Sequence, residues 1–451
     1  MKQYVLDTNI LIESPDAIWG FDDNVVCITQ KTLEELDGLK KAPGDTGFNA
    51  RRAIRNINFL KDVTGSYSTG IKLNNGGIFR ILRKNKVENE QILNFVNDFD
   101  LKRPDNEILY IFMQNMNLNE SILITNDVTM QVKANLLGIT TQNYRNVRVN
   151  TTNYRGVINF QIENWEPIDE LYIPGMVFPT KSIPELEEYQ FTENEYVLLT
   201  CGNKKAYTIF HEGFLVSVDS KNLKPCEIAP KNSSQKFALN ALMASSDEIP
   251  LVILKGPAGS AKTFLSLATA VDQVFDNKYG KIVITRANVL ADKDIGYLKG
   301  SLEDKMNPLL APFYDNLEVI LRSNGGEKES NEQIQMQIED MKESGILEIA
   351  SLAYMRGRSI NNSFIIVDEV QNMSPLQVLT LVTRAGMGTK VVLCGDLDQI
   401  DAPNLDRENN ALAYVSEKMK NSRLCAQITF SQDECVRSPL ALEATAKLTI
   451  R

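Results

Sequence analysis

The eight residues Gly256, Pro257, Ala258, Gly259, Ser260, Ala261, Lys262 and Thr263 lie between an apolar run, Leu251 to Leu254, and a helix-like one opening at Phe264. The order predicts a strand, a tight loop and a helix. Such a loop points backbone N–H groups at a polyphosphate, and the helix N-terminus adds partial positive charge. Lys262 and Thr263 supply an ammonium and a hydroxyl suited to Mg²⁺. The predicted chemistry is binding of a nucleoside triphosphate. Ala261 stands where such a loop ordinarily carries its second glycine, so a Cβ must be tolerated close to the phosphates.

Two further apolar runs end in polar residues. Phe364 to Val367 leads into Asp368 and Glu369, and Lys390 to Cys394 leads into Gly395, Asp396 and then Gln399. In a P-loop ATPase the strand next to the loop ends in an acid that holds Mg²⁺ through water, followed by one that polarises the attacking water. Asp368 fits the first role and Glu369 the second. Gln399 is placed to sense the γ-phosphate. Three motifs in this order, each at the carboxyl end of a strand, set aside the alternative of a Gly-rich turn before an ordinary helix.

With Gln235, Thr285-Arg286, Gly296 to Gly300, Met355 to Arg358, Val367 to Asn372, Arg384 to Lys390, Gly395 to Asp401 and Val436 to Ser438, these residues resemble a PhoH-type ATPase over roughly 228–445. PhoH domains are similar to the first RecA-like lobe of superfamily 1 helicases. That resemblance implies that Gln235 reads adenine and that Arg437 or Arg384 meets the γ-phosphate. Lys299 stands where the family usually has proline.

The other end of the chain carries separate chemistry. Tyr4 to Ile12 is a short apolar run interrupted by Asp7, Thr8 and Asn9, a carboxylate flanked by small polar groups at a strand end, which suits a hard cation. More acids follow apolar or helical stretches: Glu34 and Glu35, Asp105, and Asp127 after Ile122 to Asn126. Taken singly, each reads as a solvated charge or a helix cap. Taken in order, they resemble a PIN-domain nuclease over about 1–150. The resemblance implies that Asp7, Glu35, Asp105 and Asp127 form an acidic cluster for Mg²⁺ or Mn²⁺, assisted by Thr125 or Asn126. In such a cluster the metal generates hydroxide near neutral pH and stabilises the scissile phosphate. Leu33 and Leu36 should face the core, which sets both Glu34 and Glu35 beside that stripe; Glu35 matches the family position better.

A PIN domain in front of a PhoH domain is a known arrangement, and the family resemblance implies an ATP-dependent enzyme that unwinds and cuts single-stranded RNA. Residues 397–451 are too few for a second RecA-like lobe. The expectation is therefore a head-to-tail ring, a hexamer by family resemblance, in which Arg384 or Arg437 completes the neighbour's ATP site. A regulatory or antitoxin partner leaves no signature in the sequence.

Composition agrees. The 451 residues suit two or three domains. No apolar run reaches the length of a membrane span and no leader opens the sequence, so a cytoplasmic, membrane-free protein is expected. Six cysteines without CxxC spacing read as reduced thiols and exclude a zinc site. The single histidine, His211, excludes two-histidine ribonuclease and HExxH mechanisms on count. A net charge of −10 argues mildly against nucleic acid, but basic stretches occur at 51–55, 80–86 and 145–155, the last interleaved with Tyr144 and Tyr154 for base stacking. The acidic segment 327–343 reads as a solvated helix rather than a partner-binding arm.

The fold class expected is α/β. A PIN-like three-layer α/β/α domain with a parallel sheet spans 1–150, a small antiparallel β-rich module spans 151–227, and a P-loop RecA-like α/β domain spans 228–451.

Overall fold

The structure, a computed structural model, describes residues 1–451 except 22, 63–64, 86–94, 96–98, 119, 145–153, 220–221, 288–301, 326–329, 351–358, 403–404 and 435–451, and except the side chains of 45, 62, 302–310 and 324–325. It divides into two compact units, Met1–Arg148 and Val149–Arg451.

The first unit is built on β1 (Gln3–Leu6), β2 (Val25–Thr29), β3 (Gly65–Ser66), β4 (Gly70–Lys72), β5 (Ile78–Leu82), β6 (Ser121–Ile124) and β7 (Thr140–Gln142), in the order β3-β4-β5-β2-β1-β6-β7. From β5 to β7 all neighbours are parallel, and β3 and β4 add an antiparallel ribbon on the β5 edge. Side chains alternate across the sheet. Leu6, Val26 and Ile28 pack with Ile10, Leu36 and Ala53 on one face, while Val5 and Cys27 pack with Ile108, Phe112 and Met130 on the other. Parallel strands need crossover helices, and those helices cover both faces, giving three layers.

The second unit holds a six-stranded sheet of β13 (Leu251–Lys255), β14 (Lys281–Arg286), β15 (Leu347–Ile349), β16 (Ser363–Asp368), β17 (Lys390–Gly395) and β18 (Cys425–Thr429), ordered β15-β14-β16-β17-β13-β18 and parallel throughout. One expectation is corrected here: the Asp368 strand does not adjoin the loop strand. The wholly buried β17 lies between them, with Val391 to Leu393 in register with both Leu251 to Ile253 and Ile365 to Val367. A strand apolar on both faces is stabilised most in such a central position.

A second sheet of the same unit comprises β8 (Val157–Gln161), β9 (Val177–Pro179), β10 (Tyr196–Cys201), β11 (Lys204–His211) and β12 (Phe214–Ser217), ordered β8-β10-β11-β12-β9. It departs from the antiparallel expectation at one pairing, because β8 and β10 run parallel. The long excursion between them, through the helix Glu166–Glu170 and β9, supplies the crossover a parallel pair requires. Val197, Leu199 and Leu215 close a small core of their own, whereas Tyr196 and Leu198 pack with Phe237 into the core of the P-loop sheet.

The segment expected as a solvated helix is the helix Asn331–Glu343, which buries only Ile334, Ile338 and Met341. Cys27, Cys226, Cys394 and Cys425 are buried free thiols and Cys201 is half-buried; Cys435 lies outside the described residues. His211 ends β11, with Nδ1 2.8 Å from Glu193 Oε2.

Candidate functional site

In the second unit, β13 delivers the chain at Gly256, whose φ is +144° and whose absent Cβ would lie 2.8 Å from the Phe430 carbonyl oxygen, so only glycine fits. The loop ends at Ala261 with φ +68°, a left-handed conformation at the expected glycine position. The helix Lys262–Phe275 follows. Lys262 Nζ donates to the carbonyls of Gly256 at 2.6 Å and Pro257 at 3.0 Å, and to Ser260 Oγ at 3.2 Å. Thr263 Oγ1 donates to Asp368 Oδ1 at 3.0 Å, so the two predicted Mg²⁺-binding residues are in contact. Burial, then the charge of Glu369, raises the Asp368 carboxyl above the ordinary aspartate value, partly offset by Arg286 and Thr263.

Glu369 sits at φ +56°, a backbone strain that aims its side chain into the same space. One carboxylate oxygen receives Arg286 at 3.1 Å and the other receives Gln371 Nε2 at 2.5 Å. Gln371 is fully buried; it also donates to the Gln399 carbonyl, and its Oε1 accepts from Asp396 N at 3.0 Å. A Cβ on Gly395 would lie 2.5 Å from that oxygen, so the glycine permits the approach.

These groups wall a cavity of about 290 Å³. Ala258, Gly259, Ala261, Lys262, Thr263, Phe264, Asp368, Glu369 and Gln399 line it as expected, and so do Arg286, a motif residue given no role in the sequence analysis, and Pro312, Phe313 and Asn316, which no motif singled out. The last three come from the helix Leu302–Gly325, whose sequence carries no ligand motif. Gly256 and Pro257 border a neighbouring cavity, and Ser260 is fully buried. Gln235 is buried away from these walls, its Oε1 accepting from Lys231 N at 2.8 Å. Arg384 does not line the cavity either; it follows the helix Pro375–Val382. Arg437 lies outside the described residues, as do Lys299 and Met355 to Arg358.

In the first unit, Asp7 follows the last residue of β1 and Thr125 the last of β6, and the parallel pairing of Leu6 with Ile124 sets these ends side by side. Thr125 Oγ1 donates to Asp7 Oδ2 at 2.6 Å, and the Thr8 backbone N donates to Asp7 Oδ1 at 2.6 Å. Thr8 Oγ1 donates in turn to Glu35 Oε2 at 2.6 Å. Burial pushes Asp7 up to about 7, against its two hydrogen bonds, and the negative charges of Asp105 and Glu35 add to the rise. Glu35 is raised too, by burial first and then by the charges of Asp105 and Glu107, against the Thr8 hydrogen bond and Lys31. Glu34 points elsewhere, paired at 3.3 Å with Lys31 on the exposed side of the helix Gln30–Leu39, so helix phase favours Glu35.

Asp105 lies within electrostatic reach of Asp7 and Glu35 but is paired with Lys133 at 3.3 Å. Asp127 is exposed and caps the helix Val128–Leu136, its Oδ1 accepting from Met130 N at 2.9 Å. Asn126 turns to Glu13, with Nδ2 donating at 2.6 Å. Among the described residues no three acidic, histidine or cysteine side chains close into a metal-ligating group. The donor chemistry nevertheless fits a hard cation. Three carboxylates repel one another there, and the buried Asn9 Oδ1 has no hydrogen-bond partner. A divalent ion would be held by Asp7, Glu35 and Asp105.

Of the two tyrosines expected to stack on bases, Tyr144 is a packing residue instead. Tyr144 is buried against Phe21, and Tyr154 is half-buried with its hydroxyl accepting from Thr192 Oγ1 at 2.7 Å. The Tyr144 ring joins the core of the first unit, which offsets its ordering cost without a ligand, whereas the Tyr154 ring borders the cavity beside Gly256, with Lys255 Nζ 5.7 Å and Lys420 Nζ 5.1 Å from its centroid. Residues 145–153 lie outside the described residues.

A parallel α/β unit with carboxylates at its central strand ends, followed by a P-loop unit with a paired-acid strand, defines a nuclease-type domain joined to an NTPase-type domain. Family models agree: residues 4–145 match the PIN domain and residues 227–448 match PhoH-like protein. Protein PhoH2 of Bacillus subtilis is 34% identical over 98% of this chain and 98% of its own length. Proteins of the same name from Thermobispora bispora and Mycolicibacterium smegmatis are 28% and 26% identical, each over 99% of this chain. The chain belongs to the PIN–PhoH fusion family, whose members carry the name PhoH2.

Proposed function

We propose that this protein hydrolyses ATP to move along single-stranded RNA and cuts that RNA in a Mg²⁺- or Mn²⁺-dependent reaction. The observation that carries the reading is the pairing of two acid-based sites on one chain. One site joins Thr263 to Asp368 beside Glu369; the other groups Asp7 with Glu35 and Asp105 around two threonine hydroxyls.

At the first site the loop N–H groups and Lys262 hold the phosphates, Thr263 and Asp368 hold the ion, and Glu369 takes the proton of the attacking water. At the second, Thr125 and Thr8 orient Asp7 and Glu35, and a divalent cation held there by Asp7, Glu35 and Asp105 would supply hydroxide at neutral pH. Covalent linkage makes the second RNA encounter intramolecular, which raises the substrate concentration at the cutting site. Assembly into a ring of identical subunits, with Arg384 or Arg437 meeting the neighbour's ATP, belongs to the same proposal.

A second reading, an ATP-driven RNA remodeller with an inert N-terminal site, is favoured by the Lys133–Asp105 ion pair, which occupies one of the candidate ligands. One experiment decides. Labelled RNA and DNA strands of equal sequence are incubated with the protein, with and without ATP, Mg²⁺ and Mn²⁺. Metal-dependent RNA cleavage that survives Lys262→Ala and is lost in Asp7→Asn supports the nuclease; ATP-dependent unwinding with no cleavage in Mn²⁺ selects the remodeller.

A further inference from the structure

We propose that Arg286 is the arginine that meets the γ-phosphate, from within the same subunit, and that Glu369 holds it in place between turnovers. The proposal rests on the ATPase reading above and replaces the arginine of a neighbour at that contact.

Arg286 is the last residue of β14, and the parallel register sets it directly opposite Asp368 on β16. Its backbone neighbour Ala287 donates to the Asp368 carbonyl at 3.0 Å, fixing the two strand ends together. From there the guanidinium reaches Glu369 Oε1 at 3.1 Å and lines the cavity that Lys262 and Thr263 border. It is half-buried, so its charge is screened less than a surface arginine's. Arg384, the described alternative, is not in these walls.

The arrangement has two acceptors for one cation. With no nucleotide bound, Glu369 accepts from Arg286 and its carboxylate is tied to both Arg286 and Gln371. A γ-phosphate entering the cavity carries more charge than the carboxylate and offers a planar guanidinium two oxygens. Arg286 then shifts to the phosphate, and the freed oxygen of Glu369 accepts a hydrogen bond from water. As the water oxygen bonds to the γ-phosphorus, the bridging bond to the β-phosphate oxygen breaks and ADP leaves with that electron pair. The water's proton passes to Glu369 and then to solvent. The cation that stabilises the transferring group is also the one that releases the base, so water is activated only when a third phosphate is present.

The test compares the full-length protein with Arg286→Ala and Arg286→Gln, reading the affinities for ADP and a non-hydrolysable ATP analogue beside the hydrolysis rate. ADP affinity reports folding and the intact loop. Both variants are expected to keep ADP affinity, to lose about tenfold in preference for the ATP analogue over ADP, and to lose about 100-fold in kcat. A merely structural arginine would leave the preference unchanged. A folded variant that retains the preference, with kcat close to that of the parent, overturns the proposal. Mixing Lys262→Ala with Arg286→Ala subunits separates the geometries: regained hydrolysis would mean that Arg286 acts on a neighbour and overturns the assignment to its own subunit. If the parent protein binds neither nucleotide, the ATPase reading itself fails, a result distinguishable from the others.

Discussion

Thr125 Oγ1 stands 2.6 Å from Asp7 Oδ2 across 118 residues of sequence, and the hydroxyl also accepts from Asn9 Nδ2 at 3.2 Å and Asp127 N at 3.1 Å. A single threonine thus fixes the orientation of the central carboxylate. The hydrogen bond favours the charged form, yet burial and the nearby Asp105 and Glu35 outweigh it, and Asp7 titrates at about 7.

That value makes the metal-free protein sensitive to pH in a defined direction. The folded state holds the Asp7 proton more tightly than the unfolded chain does, so this contribution is full below about pH 4 and is lost as pH rises through about 7. In EDTA, the unfolding transition of the N-terminal unit should fall in temperature between these limits. Asp7→Asn keeps the shape while removing the ionisable group. It should remove the dependence and stabilise the unit at pH 8 by ~2–4 kcal/mol while abolishing cleavage. Calorimetry across pH checks the stability, and an unchanged pH slope in Asp7→Asn would show that another group is responsible.

The two glutamates of the same helix should behave differently. Glu35 accepts from Thr8 beside Asp7, whereas Glu34 makes an exposed pair with Lys31. Glu35→Gln is expected to cost at least about 100-fold in metal-dependent cleavage. Glu34→Gln should leave cleavage intact and shift stability by less than ~0.5 kcal/mol, as exposed pairs contribute little. Equal losses in a cleavage assay would contradict the geometry.

Motif order, helix phase and the loop were legible because they are local. Lys262, Thr263, Asp368 and Glu369 meet at one cavity, and Glu35 is the glutamate that turns inward. What sequence did not reveal depends on sheet order. Arg286 reaches Glu369 because β14 neighbours β16, and β17 separates β16 from the loop strand; neither follows from the order of strands along the chain. Asp127 shows the converse, since an acid at a strand end followed by a helix serves equally as a cap, and here it caps. Tyr144 misled because an aromatic residue beside arginines suits a small core as well as a nucleobase.

Lys390 was visible only as the first residue of an apolar strand, yet it is fully buried and its ammonium donates to the carbonyls of Ala241 at 2.8 Å, Leu242 at 3.1 Å and Ala244 at 2.6 Å. It satisfies the last carbonyls of the helix Ser233–Met243, where the helix dipole favours a cation. Lys390→Met retains the apolar stem but leaves these acceptors unpaired, and should destabilise the second unit by ~2–4 kcal/mol in denaturant titration. A loss below about 0.5 kcal/mol would mean that water replaces the ammonium.

Ala261 provides the last test, because its φ of +68° places an L-residue with a Cβ in the left-handed region at the mouth of the phosphate loop. For alanine that conformation costs ~1–2 kcal/mol, whereas glycine adopts it freely at the expense of greater disorder in the unfolded chain. Leu265 N donates to the Ala261 carbonyl at 2.9 Å and so holds the residue in this conformation at the helix start; a β-carbon held there is expected to cost more than the chain entropy glycine would lose. Ala261→Gly should therefore stabilise the second unit by ~0.5–1 kcal/mol. Nucleotide affinity should hold or rise, because glycine keeps the same loop backbone without a Cβ near the phosphate site. Thermal unfolding with and without ADP measures both, and a glycine variant less stable than the parent would show that the loop relaxes the alanine elsewhere.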